Sequence, residues 1–255
     1  MSRNFELLQQ VGRGFDVPPT PPMPQPVPVS SKLHEKALQI GTRLDFGQVA
    51  REEASRLVQR IFLSSGPKAP RAVLFAGIAE GVGCSQICLL VAESLRSTVS
   101  GSICLVEANF RSPSLSGMLG TTNDHGLTNS MLQDGPIRFF ARPLAIDNVW
   151  LLSCGLLSSD VPKFLNSDRL KARFEELRAE FDYLLIDAPS LSQYADATVL
   201  GRLTDGLVLV LEANSTRKET ALNVMDKLRA AQMPVLGAVL NKRTFPVPEL
   251  LYRRL

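Results

Sequence analysis

The chain reads as an α/β protein: a doubly wound, mostly parallel sheet flanked by helices. Three observations carry that reading. Short apolar runs alternate with longer segments of helical period between residues 72 and 241. Several of those runs are apolar nearly throughout, as strands covered on both faces are. A glycine-rich stretch, GIAEGVGCSQ (77–86), stands between the first run and the first long helical segment, the order of parts that cradles phosphates in nucleotide-binding sheets.

The elements follow in order. Residues 1–45 are expected to form a tail, because PPTPPMPQPVPV (18–29) is a polyproline-type spacer that packs neither as helix nor as sheet. Phe5, Leu8 and Val11 ahead of it have helical spacing, but the apolar face is too small to take as more than a tail. A helix is expected over 47–63, where Val49, Leu57 and Ile61 with Ala50, Ala54 and Val58 make an apolar stripe opposite charge. Strands are expected at 72–76, 102–108, 148–153, 183–188, 206–213 and 234–241. Helices are expected at about 84–99, 126–133, 167–180, 195–203 and 216–231. Repeated strand–helix units of this kind make one domain, placed at 46–245, with a short tail at 246–255.

Bulk properties exclude several classes. With 28 basic and 25 acidic residues the net charge is +3, too small an imbalance for a broad nucleic-acid surface. No run approaches the about 18–20 apolar residues needed to span a bilayer, and the first residues lack a signal-peptide core. A cytoplasmic protein is expected, reaching the inner face of the membrane only through a partner. The four cysteines, Cys84, Cys88, Cys104 and Cys154, are too few for a disulfide framework. Cys84 and Cys88 share a helix face, yet the only histidines are His34 and His125, so free thiols rather than a metal site are expected.

Ligands of doubly wound sheets bind beyond the carboxyl ends of the strands, and three such ends stand out. Gly81 and Gly83 suit a turn whose backbone N–H groups face an anion, with Ser85 at the start of the following helix. CLVEANFRSPSL ends the second run with Glu107, Asn109 and Arg111. YLLIDAPS ends the fourth with Asp187, an acid placed to hold a metal beside a phosphate loop.

These stretches together resemble the cytoplasmic domain of bacterial tyrosine kinases, the polysaccharide-biosynthesis autokinases, within the deviant Walker group that includes MinD and ParA. The resemblance runs from about 47 to 242 and includes REEASRLVQR, EGVGCSQ, HGLTNSML, FDYLLIDAPS, TDGLVLVLEANSTRKETA and VLGAVLNK. It implies ATP or ADP held by Gly81, Gly83, Cys84, Ser85, Gln86, Glu107, Asn109, Arg111 and Asn241, with magnesium on Ser85 and Asp187. It implies Asp187 as the catalytic acid of any active form, self-association through Glu53 and Arg56, and Tyr252 as phosphorylation target in place of the usual tyrosine-rich tail. The implied partners are a membrane chain-length regulator of the Wzz kind and an active kinase paralogue.

The pattern is incomplete where chemistry is done. The loop lysine is Cys84, the following threonine is Gln86, and the two acids of the second motif are Glu107 and Asn109. Losing a cation that acts mainly in the transition state costs roughly 10³-fold in rate, so a degenerate kinase-like regulator or scaffold is expected, with nucleotide binding weakened or absent. Two alternatives stand: an active autokinase that needs a membrane activator, and a MinD- or ParA-like positioning ATPase. Lys68 and Arg71 precede the first strand and belong at its far end, and Arg111 has a role in its own loop; a cation supplied by a neighbouring subunit stands as the alternative. A thiol at a helix N-terminus tends toward a lowered pKa; a passive small residue filling the lysine's space is the plainer reading of Cys84.

Overall fold

The computed structural model describes residues 47–63, 66, 69–156, 164–165 and 167–243. The expected tail and its proline spacer, Lys68 and Tyr252 lie outside them. Helix α1 (Gln48–Val58) runs into a π-helical turn (Gln59–Leu63). Then come β1 (Ala72–Gly77), α2 (Cys84–Arg96), β2 (Ile103–Glu107), α3 (Leu115–Met118), α4 (Leu127–Leu132), α5 (Ile137–Phe140), β3 (Arg142–Pro143) and β4 (Val149–Leu152). The order ends with α6 (Asp168–Glu180), β5 (Tyr183–Ala188), α7 (Asp196–Gly201), β6 (Gly206–Glu212), α8 (Lys218–Ala230) and β7 (Val235–Asn241).

The strands form one sheet in the order β3-β4-β2-β5-β1-β6-β7, parallel except for the β3–β4 pair. The apolar runs explain the central strands: every residue of β1 and β2 is buried. Successive side chains point to opposite faces. On one face Val73, Phe75, Leu105, Leu185 and Val208 pack against Val58, Ile61 and Phe62 and against Cys88, Leu89 and Leu95 of α2. On the other, Leu74, Ala76, Val106, Ile186 and Leu209 pack against Phe140, Phe174, Leu177, Leu200 and Leu228. Burying each large apolar side chain contributes about 1.5–3 kcal/mol, so the two layers hold the helices against the sheet.

Three elements go beyond what the sequence pattern predicts. The two residues of β3, one a proline, are exposed and pair antiparallel with β4. The four-residue helices α3 and α5 are shorter than two turns and leave no periodic trace. Among the described residues no helix is long and apolar enough to cross a membrane.

Candidate phosphate site

Neighbouring strands bring Phe75, Asp187 and Glu107 into one row, in β1, β5 and β2 respectively. The loops that follow these strands meet above that row. The loop after β1 is pinned on several sides. Leu191 and Ser192 donate their N–H groups to the Gly77 and Ile78 carbonyls at 2.9 and 3.2 Å, and Ile78 donates to Val210 at 2.9 Å. Asn241, at the end of β7, donates Nδ2 to the Val82 carbonyl at 2.9 Å. A side chain on Gly83 would begin 2.4 Å from that nitrogen, and Gly83 has φ +87°, so only glycine fits there. Gly81 is also left-handed, at φ +74°, but faces open space. Helix α2 starts at Cys84 with no described side chain capping its first turn, which leaves its amides and the positive end of its dipole facing the loop.

Asp187 is fully buried at the root of the site. Its Oδ2 accepts from Ser85 Oγ at 2.6 Å, and Ser85 Oγ in turn lies 2.8 Å from Ser114 Oγ, the donor. Its Oδ1 is buried without a hydrogen-bond partner among the described residues, as is Ser190 Oγ. Burial pushes the Asp187 carboxyl up to about 7, against the pull of Ser85 and Cys84, with the Glu107 carboxylate adding to the rise. Cys84, although half-exposed, has its thiol held well above the usual range by burial, by the Asp187 charge and by Cys88. The raised thiol pKa agrees with the plainer reading of Cys84 as a passive small residue: a neighbouring carboxylate and poor solvation outweigh the helix dipole.

The remaining residues singled out from the sequence fall in different places. Glu107 is fully buried, and its carboxylate accepts from Leu115 N at 2.6 Å, Ser116 Oγ at 2.9 Å and Cys154 N at 3.3 Å. It thus holds the start of α3 to the end of β4. Asn109 Oδ1 accepts from Ser112 N at 3.2 Å within its own turn. Arg111 pairs with Asp196 at 3.0 Å and lies over the Tyr194 ring, 4.8 Å from its centroid. Gln86 brings its Oε1 toward Gly83. Glu53 and Arg56 form an exposed ion pair at 2.7 Å on α1, away from the loop. Arg71 donates its backbone N–H to Asp205 at 2.7 Å and lines an open cleft of about 420 Å³ with Asp182 and Tyr183, at the amino ends of β1 and β5.

Two residues of the site have no signature in the sequence. Ser114 and Ser190 carry no spacing signal; what reveals them is a hydroxyl contact 29 residues away for one and an unpaired buried oxygen for the other. Among the described residues no three His, Cys, Asp or Glu side chains gather as metal ligands. The oxygens of Asp187 and Ser85 nonetheless fit a hard divalent cation that brings most of its ligands as water and phosphate, since magnesium sites use one or two carboxylates in this way. The uncapped α2 and the left-handed glycines fit the phosphates of a nucleotide.

No protein-family profile matches the chain. Over 139 residues it is 27% identical to the tyrosine-protein kinase YwqD of Bacillus subtilis, a match covering 54% of this chain and 59% of that one. Over 176 residues it is 23% identical to the tyrosine-protein kinase CpsD of Streptococcus agalactiae, covering 69% and 76%. The first match thus takes in little more than half of the relative's length. Among solved structures, the chimerical protein CapA2B2 superposes with a TM-score of 0.73 at 18% identity, covering 82% of this chain and 91% of that one. The septum site-determining protein MinD of Pyrococcus horikoshii, complexed with Mg-ADP, superposes with a TM-score of 0.58 at 18% identity, covering 72% and 76%. The chain is related to bacterial tyrosine-protein kinases and has a fold of the MinD and ParA kind.

Proposed function

We propose that this chain, whose curated relatives are bacterial tyrosine-protein kinases, is a degenerate kinase-like regulator or scaffold in exopolysaccharide or capsule assembly and export. It keeps a nucleotide-binding fold and has lost most or all phosphoryl transfer. One observation carries the reading: Cys84 stands where a phosphate loop needs its cation, and the groups acting on its thiol and on Asp187 include carboxylates and a second thiol, with no positive charge among the described residues.

The other substitutions point the same way. A phosphate loop without a lysine keeps backbone amides for binding but lacks the charge that stabilises the transition state, a loss of roughly 10³-fold in rate. Glu107 is committed to Leu115, Ser116 and Cys154, and Asn109 is neutral, so neither handles the metal or the attacking hydroxyl. When bound, magnesium and ATP would supply the phosphoryl donor and part of the missing charge; Asp187 and Ser85 are the residues that would hold the metal.

The partners that suit this role are a membrane chain-length regulator of the Wzz kind and an active kinase paralogue, met at the inner face of the membrane from a cytoplasmic position. Glu53 and Arg56 on the exposed side of α1 would serve self-association. The test is phosphotyrosine mass spectrometry of the purified chain with Mg-ATP, alone and with its membrane partner. The expected result is no phosphate on Tyr252, Tyr183 or Tyr194. Phosphate on Tyr252 that disappears in Asp187→Ala would overturn the reading in favour of an active autokinase.

A further inference from the structure

We propose that this pocket takes a nucleoside polyphosphate only together with a divalent cation, which replaces the side-chain charge missing at Cys84; the proposal rests on the nucleotide-site reading of the β1–α2 loop. Three observations on different atoms lead to it. The first is geometric. The first turn of α2 is uncapped, and the chain reaches it through left-handed Gly81 and Gly83, so amides are available to phosphate oxygens.

The second is a charge imbalance. Asp187 and Glu107 are neighbours across β5 and β2 and are both fully buried, and Cys84 adds no positive charge. Two candidate substitutes are engaged elsewhere: Arg111 with Asp196 and Tyr194, and Lys242 with Glu212 at 3.2 Å. A free polyphosphate entering this site therefore meets amide dipoles and a carboxylate, with no lysine at position 84 between them. A lysine in place of Cys84 would neutralise that repulsion. Without it, the repulsion stays unless another positive charge comes in with the ligand.

The third is the unpaired oxygen. Asp187 Oδ1 is buried without a partner among the described residues, while its Oδ2 is tied to Ser85 in the first turn of α2, so the carboxylate faces the phosphate side of the helix. Ser190 Oγ, three residues on, is buried and unpaired as well. Buried polar atoms left unsatisfied are rare in native proteins and commonly mark a missing ion or water. Unpaired acceptor oxygen beside a carboxylate suits a hard cation and repels phosphate. The same carboxylate that opposes the free nucleotide thus favours the metal-bound one. By linkage, nucleotide must raise the affinity for the cation by the factor that the cation raises the affinity for nucleotide.

The experiment is isothermal titration calorimetry at pH 8 on the full chain with ATP and with ADP, each in magnesium and in EDTA, and with magnesium alone. Binding in EDTA is expected to be at least about 30-fold weaker than in magnesium, the size of one charge-assisted hydrogen bond. Magnesium should bind more weakly without nucleotide than with it. Cys84→Lys should close the gap to about fivefold or less by raising affinity in EDTA. Asp187→Asn, which keeps the shape, should move the two conditions in opposite directions, weakening binding in magnesium and strengthening it in EDTA. Thermal unfolding of both variants confirms that they are folded. An affinity in EDTA within about threefold of that in magnesium overturns the cation coupling and leaves the nucleotide site standing. A parallel loss in both conditions for folded Asp187→Asn overturns the charge argument. Lack of binding at millimolar nucleotide with magnesium overturns this proposal and the nucleotide-site reading together.

Discussion

Glu107 and Asp187 sit side by side across β2 and β5, both fully buried, and their carboxylates serve separate structures. Glu107 is saturated by Leu115 N, Ser116 Oγ and Cys154 N. Asp187 is held through one oxygen by Ser85 and leaves the other unpaired. One acid organises the sheet's surroundings, and the other keeps free capacity at the root of the phosphate site.

The half-satisfied acid should make stability depend on pH in the unusual direction for a carboxyl group. Its folded pKa of about 7 lies above the ordinary 3.8. Between those values the folded chain retains a proton that the unfolded chain releases, so stability falls as pH rises. In EDTA the slope should approach about 1.4 kcal/mol per pH unit between about pH 5 and 6.5. Urea midpoints across that range should show the fall in the parent chain and a flat response at this site in Asp187→Asn.

The saturated acid should behave differently. Glu107→Ala strands several buried donors and should cost about 3 kcal/mol or more. Glu107→Asp restores the usual residue of the motif but shortens the reach by one methylene, and should still lose at least about 1 kcal/mol. Chemical denaturation of the two variants measures both. A neutral Glu107→Asp would show that α3 and β4 adjust to the shorter acid.

Gly83 and Gly81 separate conformational strain from collision. Both are left-handed, but only Gly83 faces Asn241 Nδ2. Gly81→Ala should cost about 1 kcal/mol and Gly83→Ala about 2–3 kcal/mol. In a double-mutant cycle, Asn241→Ala should recover part of the Gly83→Ala loss and none of the other.

Thiol chemistry checks the environment of Cys84. Burial and the Asp187 charge oppose its ionisation, so Cys84 should react with a disulfide reagent at pH 7.5 at least about tenfold more slowly than free cysteine. Peptide mapping of the labelled product assigns the rate to Cys84.

The Glu53–Arg56 pair tests α1 as an association surface. Both side chains are more than three-fifths exposed, so Arg56→Ala should change monomer stability by less than about 0.5 kcal/mol. Sedimentation should nevertheless show weaker self-association if α1 carries the proposed contact between copies.

The sheet was legible because β1, β2, β5 and β6 are apolar on both faces and separated by helical periods, a signal that survives any strand order. The order itself was not legible, nor was β3, whose two residues are an exposed arginine and a proline. The site was half legible. Gly81, Gly83, Ser85 and Asp187 announced themselves by type and position. Ser114 did not, since its contact with Ser85 depends on how the chain returns after β2. Glu107 looked like part of the phosphate machinery by position, and only the packing of α3 reveals where its oxygens are spent. The passive reading of Cys84 was available from sequence, but its cause was not, because local sequence displays the helix dipole and hides a carboxylate far along the chain.

The bond from Asn241 to the Val82 carbonyl spans 159 residues. A ribosome therefore finishes the loop's own residues long before it makes the amide that ties them down. Until β7 emerges, the glycine turn lacks that tether. A chain shortened ahead of Asn241 would keep every glycine of the turn and still be missing the tether that holds it.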